Sequence, residues 1–335
     1  MPVADQPIAT GFGDPGEIHQ DGTVEPNNLT PPQMTAVRLI APRGVHGLIV
    51  EEVGRPSPGA GEVVVQVHAA ALTRDELDWP VDRLPAIPSY EVSGNIAEVG
   101  PGVTGFEVGD AVYGLTGFER DGVAAEFAVI PADRLADKPS SLSHAEASSI
   151  PLPGLSAMQG LFDHGRLDAG GRVLIHGGGG GVGAFAVQLA KIRGAYVIAT
   201  ATGSRVRAAA QLGADEVIDH QMLDFTEIEP VHVVFDTVGG QRLVRSPAVV
   251  VPGGRIVSVA ESPPPGFGEG EGVGSVFFIV EPNADQLAQL SRLADAGDLR
   301  VLVDMTFPLD RAQDAFDRLQ SGNAVGKVVL TVHDE

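Results

Sequence analysis

From Met34 to about Pro131 the apolar residues fall in short, β-branched runs separated by glycine and proline: TAVRLI, LIVEEV, EVVVQVHAAAL, SGNIAEVG, DAVYGL and AAEFAVIP. Runs of this length with these boundaries predict a strand-rich domain. After Leu142 the texture turns helical through HAEASSIPLPGLSAMQGLFDHG, and a regular alternation follows. RVLIHG, YVIATA, EVIDH, VHVVFDTVGG, GRIVSVA and SVFFIV read as strands, with GVGAFAVQLAKIRG and SRVRAAAQLG as helices between the first of them. Strands alternating with helices predict a parallel sheet covered on both faces, a doubly wound α/β domain. A helix from Asp285 to Ala296, the run VLVDMTFPL, a helix around Ala312 to Leu319 and the strand KVVLTV follow, closer in texture to the first half than to the middle. Residues 1–33 are rich in Pro, Gly, Asn and acidic side chains with little periodicity, and are expected to form a flexible extension.

Composition narrows the picture. The 335 residues are 43% hydrophobic, enough for two domains. No apolar run approaches the roughly 20 residues needed to span a bilayer. The first residues lack a basic start and an apolar stretch, so no secretory signal is read and a cytoplasmic location is expected. There is no cysteine, which removes disulfides, thiolate catalysis and thiolate metal ligands. Acidic residues outnumber basic ones 44 to 22, a net charge of −22. Such a surface aids solubility and repels nucleic acid and anionic membranes, so neither is expected as a partner.

The strongest local signal is RVLIHGGGGGVGAFAVQLAK, residues 172–191. Gly178, Gly180 and Gly183 fit G-x-G-x-x-G, whereas Gly177, Gly180 and Gly183 fit a G-x-x-G-x-x-G spacing. The run follows a predicted strand and opens a predicted helix, the context in which bare backbone approaches a pyrophosphate and the helix start stabilises its charge. The second strand would carry a carboxylate if it bound the ribose hydroxyls of NAD. From Ala184 to Ala214 there is no Asp or Glu. Thr202, Ser204, Arg205 and Arg207 stand there instead, hydroxyls and cations suited to a 2′-phosphate, so NADPH is the expected cofactor. The alternative is that Ser204 caps the helix and the arginines are solvated surface.

With these residues in place, the chain resembles the zinc-free quinone oxidoreductases, the zeta-crystallin-like branch of the medium-chain dehydrogenases/reductases. The markers run in order from about Met34 to Val332: PGAGEVVVQVHAAAL, SYEVSGNIAEVGPGVTGFEVGDAVYGL, LPGLSAMQGLF, VLIHGGGGGVGAFAVQLAK, LGADEVIDH, VVFDTVGG and GKVVL. The resemblance implies a GroES-like β-rich domain, residues 34–155 completed by 301–335, and a Rossmann doubly wound parallel-sheet domain, residues 156–300, with a cleft at their junction. Zinc-dependent relatives place a cysteine in the stretch that reads AALTRDE here and a histidine where this chain has Ser89, Tyr90 and Glu91; both ligands are missing.

Thr73 stands where quinone reductases of this kind carry an asparagine near the nicotinamide. Its hydroxyl still donates a hydrogen bond, with shorter reach, and a turn role is the alternative. Thr73 and Tyr90 are the expected catalytic donors, Tyr90 equally reading as a packed residue at the domain junction. Trp79 and Phe118 would supply an apolar wall, with ordinary core residues as the alternative. The expected cofactor-binding set is Ser156, Gly180, Gly181, Val182, Thr202, Ser204, Arg205, His220, Val238 and Ala260. Within it Ser156 matches a family threonine near the nicotinamide or begins a helix, and His220 faces the adenosine end or is solvated.

The implied function is hydride transfer from NADPH to a small-molecule quinone or α,β-unsaturated carbonyl without zinc, by a homodimer. An enoyl reductase on a biosynthetic substrate and a non-catalytic, crystallin-like NADPH-binding protein are the alternatives.

Overall fold

The computed structural model describes residues 32–80 and 82–333. The extension expected over residues 1–33 lies outside them as far as residue 31, and Gln33 already pairs in the first strand. β1 (Gln33–Leu39) and β2 (Leu48–Gly54) form an antiparallel pair. β3 (Glu62–Leu72), β4 (Glu91–Val99), β5 (Ala111–Leu115), β6 (Phe127–Pro131) and β7 (Leu135–Asp137) follow. The helical stretch after Leu142 is broken in two. α1 (His144–Ser148) opens on a reciprocal cap between Ser143 and Glu146. α2 (Pro151–Met158) starts afresh because Pro151 has no N–H with which to continue α1.

The alternating region gives β8 (Arg172–His176), α3 (Gly181–Ile192), β9 (Tyr196–Ala201), α4 (Ser204–Gln211), β10 (Glu216–Asp219), β11 (Val231–Asp236), α5 (Gln241–Arg245), β12 (Val250–Ser258) and β13 (Gly274–Phe277). Its six strands are all parallel, in the order β10-β9-β8-β11-β12-β13. The chain builds outward from β8 to β10 and then returns to β11 on the other side of β8. Winding therefore reverses between β8 and β11, and a crevice outside the carboxyl ends of such strands is where ligands bind. This sheet is Rossmann-like.

α6 (Ala284–Asp295), β14 (Val303–Pro308), α7 (Ala312–Gln320) and β15 (Lys327–Thr331) complete the chain. β14 and β15 join the GroES-like sheet, whose order is β14-β15-β3-β4-β5-β7 with β6 also on β3. The register here fixes the chemistry described below. Val328 pairs with Leu72 and Val329 with Ala71, while Ala71 on its other side pairs with Glu91. Side chains alternate between faces, so Val329, Ala71 and Glu91 form one row, and Lys327 and Thr73, two residues along, fall on the same face.

That face meets the rest of the molecule through a continuous core. One cluster joins Tyr90, Tyr113 and Leu115 to Leu155 of α2, Val187 of α3, Leu290 of α6 and Phe235 of the parallel sheet. Tyr113 also bridges it with polar groups: its buried hydroxyl donates to Leu287 O at 2.6 Å and lies 3.0 Å from Ser291 Oγ. Removing it takes the buried Tyr113 hydrogen bond from Leu287 O and the hydroxyl partner from Ser291. Tyr113→Phe is expected to destabilise the protein by about 1–3 kcal/mol, read as a lower urea midpoint at unchanged m-value.

Candidate active site

The glycine turn begins where β8 ends. Gly177 has φ +82°, and the N–H groups of Gly177 and Gly178 donate to Thr200 O at 3.1 and 3.0 Å, which ties the turn to β9. A Cβ on Gly183 would sit 2.1 Å from Gly177 O, so α3 can approach the turn this closely only with glycine there. The two registers differ only at their first glycine, and both positions need one: Gly177 for its positive φ, Gly178 because a Cβ there would lie 2.6 Å from Ala199 Cβ.

The other side of the turn is open. Gly180 is the N-cap of α3 and offers no side chain to cap it. The N–H groups of Gly181, Val182 and Gly183 have no protein acceptor among the described residues. A Cβ on Gly181 would meet only Lys327 Cδ, at 3.7 Å. A bare rim of N–H donors at a helix start fits a pyrophosphate, and the neighbouring loops leave room for a dinucleotide. Val238, 42% exposed, stands beside Gly177, and Ala260 is exposed just beyond β12.

The second strand ends as its composition suggests, without an acid. Gly203, rather than Ser204, is the N-cap of α4. Ser204 is the first helical residue, exposed, and its hydroxyl makes no hydrogen bond among the described residues; Thr202 is half-buried. Arg205 needs correcting. Its guanidinium donates to Ala324 O at 2.8 and 3.2 Å and to Gly322 O at 2.8 Å. It ties α4 to the loop before β15 because those carbonyls have no strand partner, and it is not a free 2′-phosphate ligand.

Two other arginines are better placed. Arg207 is exposed on α4, with no ion pair among the described residues. Arg242 lines a cleft of about 430 Å³ together with His220, Met222 and Gln241. His220 is held at the tip of β9 by a 2.8 Å hydrogen bond to Ala201 O.

Beneath the open rim lies a group that the sequence reading missed. Lys327 Nζ pairs with Glu91 Oε2 and donates to Thr73 Oγ1 at 3.1 Å. Glu91 Oε1 accepts the N–H of Leu152 at 3.0 Å, and Glu76 Oε2 accepts that of Thr73 at 3.0 Å. Glu91 is fully buried, Glu76 is 1% exposed and Lys327 6%. Only Thr73 is half-exposed. Two carboxyls thus lie buried near one ammonium, and burial dominates both: it raises the Glu91 carboxyl and pushes Glu76 up to about 8, against the pull of Lys327 and the N–H groups of Thr73 and Ser89.

Thr73 is therefore brought into contact with an ammonium, more than its turn alternative requires. Tyr90 is corrected as a free donor. It is fully buried, its hydroxyl accepts from Arg83 at 3.1 Å, and burial raises it. It packs at 5.6 Å from Trp79 and 5.2 Å from Phe118, the aromatic wall foreseen for those two residues. Ser156 is likewise 2% exposed and sits inside α2 rather than at a helix start. No group of three or more His, Asp or Glu among the described residues is arranged to hold a metal ion.

Comparison with known proteins places this geometry. Residues 59–140 match the alcohol dehydrogenase GroES-like domain and residues 212–330 a zinc-binding dehydrogenase domain. The chain is 34% identical to a 2-methylene-furan-3-one reductase of Solanum lycopersicum, over 80% of its own length and 71% of that protein. It is 33% identical to an NADPH-dependent alkenal/one oxidoreductase of Arabidopsis thaliana, over 80% and 72% respectively. A solved quinone oxidoreductase from Coxiella burnetii superposes with a TM-score of 0.83 at 29% identity, over 90% of this chain and all of that one.

The raised Glu76 carboxyl has a measurable sign. A carboxyl that holds its proton more tightly folded than unfolded contributes stability that is complete below about pH 4.5 and is lost as the pH rises towards 8. Glu76→Gln mimics the protonated form and removes that loss. Thermal melts from pH 5 to 8 should show wild type falling relative to the variant as the pH rises; parallel curves would mean that Glu76 is ionised throughout.

Proposed function

Because this chain belongs to the medium-chain dehydrogenase/reductase superfamily, we propose that it is an NADPH-dependent reductase of quinones or α,β-unsaturated carbonyl compounds that works without zinc. The observation that carries this reading is the juxtaposition of the open N–H rim at Gly181 to Gly183 with the Thr73 hydroxyl and Lys327 ammonium directly below it. A hydride donor held by the rim has a polar, cationic acceptor site next to it. When bound, the dinucleotide supplies a hydride from its nicotinamide ring.

The chain's own residues do the rest. The α3 start binds the pyrophosphate, and Val238 and Ala260 flank the cofactor. Thr73 donates to the substrate oxygen, and Lys327 behind it stabilises the negative charge that develops there. The Trp79–Tyr90–Phe118 cluster closes the side of the cleft with apolar surface and keeps water from the reacting carbon. The donor set supports zinc independence, since an ammonium aimed at Thr73 and Glu91 repels a dication. The names of the relatives in tomato, Arabidopsis and Coxiella support the substrate class. A homodimer and a cytoplasmic location remain part of the proposal; the open edge of the parallel sheet at β13 is available for self-association.

NADPH rather than NADH follows from the acid-free tip of β9 and from Arg207 and Arg242 near it. Replacing both arginines by alanine should raise the Kd for NADPH at least about tenfold while leaving that for NADH nearly unchanged, the loss of one charge-assisted contact. Arg205→Ala should weaken both cofactors alike and lower stability, because its partners are main-chain carbonyls. An unchanged NADPH/NADH ratio in the double variant would remove the specificity argument.

Turnover is tested directly with a panel of quinones and enones in metal-free buffer containing a chelator. NADPH consumption with some members of the panel is expected. Tight NADPH binding with no consumption would leave a binding protein.

A further inference from the structure

Resting on the reductase reading above, we propose that Thr73 and Lys327 form a proton relay that delivers the reaction's proton to the substrate oxygen in step with hydride transfer. Three features of the structure converge on it. Lys327 Nζ donates to Thr73 Oγ1 at 3.1 Å, within proton-transfer reach, and the Thr73 hydroxyl, which donates to Glu91 Oε2 across a long 3.4 Å, turns its hydrogen to the substrate oxygen when one is bound. Thr73 alone in the cluster reaches the cleft, while Lys327 behind it has a side chain only 7% exposed and abuts Gly181 at the cofactor rim. The carboxyls near the ammonium, Glu91 paired with it and Glu76 bonded to the Thr73 N–H, are buried with it, so the relay is shielded from bulk water on its inner side.

The β-carbon of an enone gains a hydride from the bound dinucleotide, which is oxidised. The electrons of the C=C bond move to the carbonyl oxygen, and that oxygen takes the proton from Thr73 Oγ. Thr73 Oγ in turn takes a proton from Lys327 Nζ, leaving a neutral amine. With a quinone, hydride addition and the same proton give the reduced ring. The cluster is then one unit more negative than before, in a buried site, and this drives Lys327 to regain a proton from solvent once product leaves the cleft. Thr73 is the catalytic residue in this scheme, and Lys327 acts through it.

The relay separates proton supply from simple charge stabilisation. Thr73→Val removes the transferable hydrogen from a half-exposed position, and Thr73→Ser keeps it. Lys327→Arg keeps the cation but donates no proton at accessible pH. The readout is the single-turnover rate of NADPH oxidation in light and heavy water, with NADPH affinity as the control for folding. Wild type and Thr73→Ser should show a solvent isotope effect above unity on the hydride step. Thr73→Val should lose that effect and slow by about 100-fold, the scale of general acid catalysis. Lys327→Arg should follow Thr73→Val at unchanged NADPH affinity.

Retention of rate and isotope effect by Thr73→Val overturns the relay. The same retention by Lys327→Arg overturns the lysine's part and reduces it to a fixed charge. If the Arg variant loses NADPH affinity, the Val and Ser pair alone decides. Absence of turnover in wild type, by contrast, overturns the reductase reading itself.

Discussion

A lysine and two glutamates buried together set the terms for the rest of this molecule. Lys327 and Glu91 come from opposite ends of the chain, and nothing but strand register brings them together: β15 on β3, and β3 on β4. Burying an ion pair contributes little net stability, but removing one partner leaves a bare charge in low dielectric at a cost of about 3–5 kcal/mol. The pair is thus held in register by the sheet, and in turn penalises any slip of β15. A one-residue shift would turn Lys327 to the other face and strand Glu91.

The glycine turn answers a different demand. Its underside is filled: Gly178 against Ala199 of β9, Gly179 against Arg205 of α4, and Gly183 against the turn itself. Its upper side is bare. Crowding below holds α3 close to the end of β8, and this leaves the first N–H groups pointing at open space rather than at protein. Arg205 belongs to this architecture. By bonding Gly322 and Ala324 it fixes the loop that delivers Lys327, so the cofactor rim and the buried ammonium are positioned by one side chain between them.

What the sequence revealed, and what it hid, follows from the range of each interaction. The strand, turn and helix around Gly177 to Gly183 lie within one short segment, as does the missing acid after β9, so both could be read directly. The two-sheet architecture was legible because periodicity is local and the family's motifs occur in order. The buried cluster was not. Glu91 and Lys327 are separated by 236 positions, and each reads alone as an ordinary residue near a strand terminus. Arg205 misled for the same reason: its cationic character is local, but the carbonyls that claim it lie 117 and 119 positions away. Tyr90 was ambiguous because a tyrosine that packs and one that donates look identical until Arg83 and the Trp79 and Phe118 rings are placed around it.

Charge at the site depends in the end on a single proton. With Glu76 protonated, Glu91 and Lys327 cancel and the cluster is neutral, so Thr73 presents a donor to the substrate with no net field against an anion. With Glu76 ionised, the same site carries one uncompensated negative charge behind the oxygen that must become negative during reduction. In a buried site that field is less screened than it would be in water. The burial that raises Glu76 therefore does more than tolerate an awkward carboxyl. It keeps the field at Thr73 compatible with a developing oxyanion, in a protein whose overall charge of −22 would otherwise oppose both an anionic cofactor and an anionic intermediate.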